Sequence, residues 1–198
     1  MADPSGLIAA AALGYLLGSV PFGVLLTRAL GLGDLRSIGS GNIGATNVLR
    51  TGNKGAALAT LLLDGGKGAA AVLLARWLGG EGTALVAGAA AFLGHLYPVW
   101  LGFRGGKGVA TFLGTVGALS WPLGLALCGI WLLTAALGRI SSLSALVAAA
   151  AAPVLALLTG QGGVAAVTLF MAALIFLRHR ENIARLRAGT EPRIGRRS

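Results

Sequence analysis

The sequence predicts an all-α integral membrane protein, one polytopic domain over 1–198 built as a bundle of seven transmembrane helices. Three observations carry that expectation. Only 11% of the 198 residues are charged and 56% are apolar, whereas a soluble domain has about a quarter charged. Mean hydropathy is +0.82, and the Ala/Leu/Val/Gly runs have the uncharged length of membrane spans. The 33 glycines suit helices that must approach closely where lipid gives no hydrophobic drive for association.

Seven apolar segments follow in order, near 7–30, 55–76, 82–101, 107–119, 121–138, 142–159 and 163–178, ahead of a basic tail at 179–198. A span needs about 20 residues to cross about 30 Å of hydrocarbon. The fourth segment is shorter and is expected to cross only inside the bundle, where its backbone does not face lipid. The first carries Gly18, Pro21 and Gly23, which predicts a kink because proline removes a backbone donor. Met1 to Ser5 lacks the basic start of a signal peptide, so 7–30 reads as a retained span. Cys128 is the single cysteine, which excludes a disulfide framework and a cysteine metal site.

A net charge of +10 does not point to nucleic acid, because the basic residues lie in short segments between apolar runs. Their distribution is topological. With seven crossings, 28–54, 102–107, Arg139 and 178–198 share one face and collect 14 of the 16 Lys and Arg residues. Arg196 and Arg197 are among them, as anchors of the tail. Arg76 lies near Glu81 on the other face, and Lys67 lies within a span. The bias of basic residues toward the cytoplasm puts the N-terminus outside and the C-terminus inside.

Three polar segments fall on that basic face. Ser37 to Arg50 combines glycines with Ser40, Asn42, Thr46 and Asn47, short hydrogen-bonding side chains beside the planar fork of Arg50, which suits phosphate. The same composition also describes a capped turn before the second span. In the second segment, Gly105, Gly106, Lys107 and Gly108 open a helix, converging backbone N–H groups, a dipole end and an ammonium on one point. It is not a nucleotide P-loop, since Gly108 follows Lys107 and Leu101 stands where the first glycine belongs. The alternative is a basic interfacial loop with snorkelling side chains. The third segment, Arg178 to Glu191, continues the last span and sets His179 and Asn182 near one face, with Arg185 and Arg187. Asp64 and Lys67, three residues apart within a span, are expected to neutralise each other as structural glue or as support for a site.

Missing parts narrow the chemistry. The sequence has no carboxylate cluster for divalent metal and no His/Cys spacing of a zinc site. Asp34, Asp64, Glu181 and Glu191 are the acidic residues in reach, and Cys128 is too apolar in setting for a nucleophile. Such a site suits a donor already activated, which needs orientation and charge stabilisation more than covalent catalysis.

The stretches Ser40–Arg50, Gly105–Thr111 and His179–Asn182 through Glu191 resemble the three motifs of the PlsY family of bacterial acyl-phosphate:glycerol-3-phosphate acyltransferases. The resemblance runs from the first span to Glu191, with no departure at the residues carried over. It implies a seven-span enzyme of the bacterial inner membrane, working at the cytoplasmic face. It would transfer a fatty acyl group from acyl phosphate to the 1-hydroxyl of glycerol 3-phosphate, giving lysophosphatidic acid and phosphate, the first acylation of phospholipid biosynthesis. Neither a cofactor nor a metal is implied, and the partners are the two substrates and membrane lipid. The His-x-x-x-x-Asp motif of acyl-CoA-dependent enzymes is absent, for Trp100 lies five residues after His95 and Ala184 five after His179.

On this reading Ser40, Arg50, Lys107 and Asn182 hold glycerol phosphate, with Asn42, Thr46 and Asn47 beside them. Gly105, Gly106 and Gly108 with Lys107 bind phosphate and steady the charge developing on the donor. His179 orients or deprotonates the attacking hydroxyl; alternatively the substrate's own phosphate takes the proton and His179 only positions it. Glu191 anchors an arginine of the last segment, and His95 has a structural role in the second loop. A transporter for an anionic metabolite is the competing reading, but transporters carry midplane sites, and only Asp64 and Lys67 lie at depth. An accessory subunit binding anionic headgroups does not account for the Ser/Asn/Thr content of the first loop.

Overall fold

The structure, a computed structural model, describes residues 3–195; Arg196 and Arg197 lie outside the described residues. In these residues every regular element is helical, and the chain packs as two compact units, ending and beginning at Leu119 and Ser120.

In the first unit, α1 (Pro4–Ser19) and α2 (Phe22–Ala29) are separated by Val20 and Pro21. Pro21 has no N–H to continue the helical ladder, and Val20 is extended at φ −62° and ψ 116°. The polar segment after α2 holds two 3-10 turns, Leu35–Ser37 and Leu49–Thr51, around the short helix α3 (Ala45–Val48). Asp34 starts the first turn by accepting from the Arg36 N–H. The long helix α4 (Lys54–Leu96) begins where Asn53 accepts from the Ala56 N–H at 2.9 Å, the ordinary chemistry of a helix start. Close packing of α1 on α4 depends on missing side chains: a β-carbon on Gly18 would lie 1.9 Å from the Ala91 carbonyl oxygen. The eleven-residue α5 (Val109–Leu119) seats Gly114 in the same way against the Gly65 carbonyl.

The count of seven spans needs correction. Four helical runs among the described residues are long and apolar enough to cross a membrane: Pro4–Ala29, Lys54–Leu101, Trp121–Gly138 and Ser141–Leu158. A fifth is added if Gly162–Arg178 and Arg180–Arg187, bent by 63°, form one span. Two features account for the difference. Segments 55–76 and 82–101, separated by composition, fall in one apolar run, Lys54–Leu101, whose helical arms before and after Gly80 (φ 82°, ψ −165°) meet at a kink. There the Thr83 hydroxyl donates to the Ala75 carbonyl at 2.7 Å, and Ala71 and Ala75 pack with Ala87 and Ala91. At about 1.5 Å per residue, α5 covers about half of the hydrocarbon thickness. Four crossings put the termini on one side and five put them on opposite sides, so the count no longer fixes their placement.

The second unit contains α6 (Trp121–Gly138), α7 (Ser141–Leu158), α8 (Gly162–Arg178) and α9 (Arg180–Arg187). Between α6 and α8, α7 turns inward the stripe Ala145, Ala148, Ala149, Ala152 and Ala156, spaced as one helix face. Leu125, Leu132, Leu133 and Leu137 of α6 stay exposed, the outward leucine surface expected of a helix that meets lipid.

Candidate active site

In the first unit the Ser37–Arg50 segment is shaped from inside by Asn47, which is buried. Its amide donates to the carbonyls of Leu35 and Ile38, both at 2.9 Å, and its side-chain oxygen accepts from the Ser40 N–H at 3.2 Å. Asn47 therefore spends its hydrogen-bonding groups on the loop itself. The outcome is an outward display: Ser40, Thr46 and Arg50 are exposed and Asn42 is half-buried. Gly39, at φ 53°, lets the Arg50 side chain cross above it, where any β-carbon would fall 2.4 Å from the guanidinium. Ser40 and Arg50 are thus brought to one patch. At its edge, hydrogen bonds from Arg36 hold the Asp34 carboxyl below the usual carboxylate range.

The Gly105–Gly108 segment is a turn that runs back along the end of α4. Gly105 and Gly106 donate their N–H groups to the carbonyls of Leu96 and His95, each at 3.1 Å. Gly108, at φ 80°, leads into α5, and Phe112 donates to its carbonyl at 2.7 Å. Lys107, half-buried, stands on this turn. The helix thus starts after Gly108, with the first two glycines engaged by main-chain carbonyls.

Deeper in the same unit, Asp64 and Lys67 are both buried, with Lys67 Nζ 2.8 Å from Asp64 Oδ1. Lys67 also donates to the Val20 carbonyl at 2.8 Å and lies 5.8 Å from the centre of the Phe22 ring. The backbone break at Pro21 and the buried pair are therefore one feature.

In the second unit His179 sits at the bend between α8 and α9 and is 3% exposed. Its Nδ1–H donates to the Ile175 carbonyl at 2.8 Å. In the neutral ring this puts the proton on Nδ1 and makes Nε2 the basic nitrogen. Asn182, one turn on, is buried and donates to Glu191 Oε1 at 2.5 Å. Glu191 also accepts from the Ser142 hydroxyl and from Arg185 Nε, both at 2.7 Å. Burial raises the Glu191 pKa, but these three donors outweigh it and hold the carboxyl below its ordinary value. A second clasp joins Ile194 to Arg139, whose carbonyl accepts from the Ile194 N–H at 2.6 Å. Sequence reasoning missed Ser142. Its only signal is a run of hydroxyls, Ser141, Ser142 and Ser144, at the mouth of an apolar helix.

Long apolar helices, polar glycine-rich turns carrying Arg and Lys, and a buried histidine with a set tautomer define a membrane-embedded enzyme that handles an anionic substrate. The chain matches the model of the glycerol-3-phosphate acyltransferase family over residues 8–189 and belongs to that family. It is 69% identical to a glycerol-3-phosphate acyltransferase of Cereibacter sphaeroides over 97% of this chain and 91% of the relative. A relative of that name from a Jannaschia species is 64% identical over 95% of this chain and 93% of its own. Among solved structures, the chain is similar to the glycerol 3-phosphate form of PlsY, an integral membrane glycerol 3-phosphate acyltransferase, with TM-score 0.91 and 40% identity over 96% of both chains. The lysophosphatidic acid form of PlsY gives TM-score 0.89 and 38% identity over 96% of this chain and 95% of that one. The chain is a multi-pass membrane acyltransferase of phospholipid biosynthesis, acylating glycerol 3-phosphate from acyl phosphate to give lysophosphatidic acid.

Proposed function

We propose that the polar turns of the first unit hold substrate phosphate and that His179 is the general base of the acyl transfer. The observation that supports the reading is the His179 Nδ1–H bond to the Ile175 carbonyl, which leaves Nε2 as the basic nitrogen of the neutral ring. In the reaction the 1-hydroxyl oxygen of glycerol 3-phosphate attacks the acyl carbonyl carbon. A C–O ester bond forms, the C–O bond to phosphate breaks, inorganic phosphate departs and the hydroxyl proton passes to Nε2.

Ser40, Asn42, Thr46 and Arg50 supply donors to phosphate oxygens, and Asn47 serves by fixing the loop that presents them. Lys107 with the Gly105–Gly108 turn binds phosphate and offsets charge as the leaving group develops. Asn182, oriented by Glu191, contacts substrate beside His179, while Asp64, Lys67 and Glu191 support the site without touching substrate. The site faces the cytoplasm of the inner membrane, a reading supported by the Lys and Arg residues gathered in the polar turns and the C-terminal segment.

Purified protein in lipid bilayers, given glycerol 3-phosphate and palmitoyl phosphate, should release phosphate and lysophosphatidic acid, and should ignore palmitoyl-CoA. His179→Ala and Lys107→Ala should each lower kcat/KM by about 10²-fold or more while remaining folded. Full activity in a folded His179→Ala protein would remove the general base from the scheme. For sidedness, a single cysteine at exposed Thr190, in a Cys128→Ser background, should react with an impermeant maleimide only from the cytoplasmic side.

A further inference from the structure

Three titratable side chains of α4 take no direct part in the scheme above. Asp64, Lys67 and His95 are 2%, 6% and 3% exposed, and ionisable groups at membrane depth are costly enough to mark function by default. Their arrangement has a direction. Lys67, tied to the Val20 carbonyl, holds Asp64 from one side at 2.8 Å. His95 Nδ1 lies 3.6 Å from the same Asp64 oxygen. The opposite edge of the imidazole faces the Gly105–Gly108 turn, where a β-carbon on Gly106 would lie 2.2 Å from Nε2. His95 also accepts the Gly106 N–H through its own carbonyl at 3.1 Å. One residue thus meets the same glycine with its ring and its main chain, and the ring is backed by a carboxylate that is itself anchored.

We propose that His95, oriented by Asp64 and Lys67, is a positioning residue that sets the Gly105–Gly108 turn and thereby the placement of Lys107 on substrate phosphate. The inference rests on the reading of that turn as a phosphate-binding element. An apolar wedge could fill the space behind Gly106, but a ring with a carboxylate 3.6 Å from its far edge also has its orientation set. Supporting shells of this kind keep a reacting group within a fraction of an ångström of its working place.

The test measures kcat and KM for glycerol 3-phosphate and for palmitoyl phosphate, in bilayers, for wild type and four variants. Lys107→Ala reports the turn. His95→Asn keeps a donor where Nδ1 faces Asp64 but removes the edge at Gly106, whereas His95→Gln reaches the Nε2 position. Gly106→Ala attacks the contact from the other side and leaves Asp64, Lys67 and His95 in place. Misplacement of about 1 Å can cost about a hundredfold, so His95→Asn should lower kcat/KM by about ten- to a hundredfold. It should raise the same KM that Lys107→Ala raises, with Gly106→Ala giving the same pattern and His95→Gln recovering part of the loss. Wild-type constants in His95→Asn and Gly106→Ala beside an impaired Lys107→Ala would overturn the proposal and leave the phosphate reading standing. Activity lost only in proportion to folded protein, with no selective KM change, would assign His95 to the fold alone. A fully active Lys107→Ala would overturn the phosphate reading of the turn, and this inference with it.

Discussion

Two carboxylates organise the two units, and they do so by different physics. Asp64 lies inside α4, buried, with the Lys67 ammonium three residues on and His95 beyond. Glu191 lies past the last helix and gathers Ser142 from α7 with Asn182 and Arg185 from α9. The first is an ion pair where water does not reach, so its worth depends on keeping both charges. The second collects neutral and charged donors near the polar edge, where protons can exchange with solvent. The buried pair ties α4 to the Pro21 break within the first unit; the Glu191 carboxylate ties the segment after α9 to α7 and α9 within the second.

Breaking the first centre should have the largest effect. Lys67→Met strands Asp64 in a buried setting, and removing one partner of such a pair costs about 3–5 kcal/mol. Thermal unfolding in detergent should show a large loss, partly restored in Asp64→Asn/Lys67→Met; a double variant no better than the single one would deny that the pair is coupled. Next comes the packing that carries the frame. Gly18→Ala would press a methyl onto the Ala91 carbonyl, and overpacking of this kind costs about 1–3 kcal/mol, read as a lower melting temperature with the turns themselves intact.

The Glu191 centre should respond to pH. Its folded pKa lies below the ordinary value, so its stabilisation is complete above about 4.3. That stabilisation is lost as pH falls through the depressed folded value. Unfolding followed from pH 6 to pH 3 should show an acid limb that flattens in Glu191→Gln. The same variant should lose about 1–3 kcal/mol at neutral pH and lower turnover through Asn182. An unchanged acid limb would move the titrating group elsewhere. The smallest effect belongs to Asp34→Asn: its ion pair with Arg36 is exposed, exposed pairs contribute little, and the melting temperature should not move measurably.

The candidate site was legible as residue types. Ser40, Arg50, Lys107, His179 and Asn182 stand in short runs whose composition differs sharply from the apolar sequence around them. What could not be read was how each is used. Asn47 looks like one more donor beside Asn42, yet its amide closes the loop through Leu35 and Ile38. Gly105 and Gly106 look like open N–H groups at a helix start, yet both donate to the end of α4. Composition identifies a polar group without saying which carbonyl reaches it first.

By itself the sequence determined the membrane class, the helical character and the family, because hydropathy and motif composition are properties of contiguous residues. Only the tertiary structure decided how many continuous helices result. An apolar run ends in the sequence wherever a few polar or glycine residues intervene, but a helix ends only where its backbone leaves helical geometry. Gly80 leaves helical geometry and folds the second arm of α4 onto the first, and Val109–Leu119 is apolar yet short. The supports of the site were tertiary as well. Ser142 meets Glu191 across 49 residues of chain, and His95 meets Asp64 and Gly106 only because the kink at Gly80 brings the two arms of α4 together and the returning turn brings Gly106. Contacts at such separations depend on chain closure and packing, which no local pattern encodes.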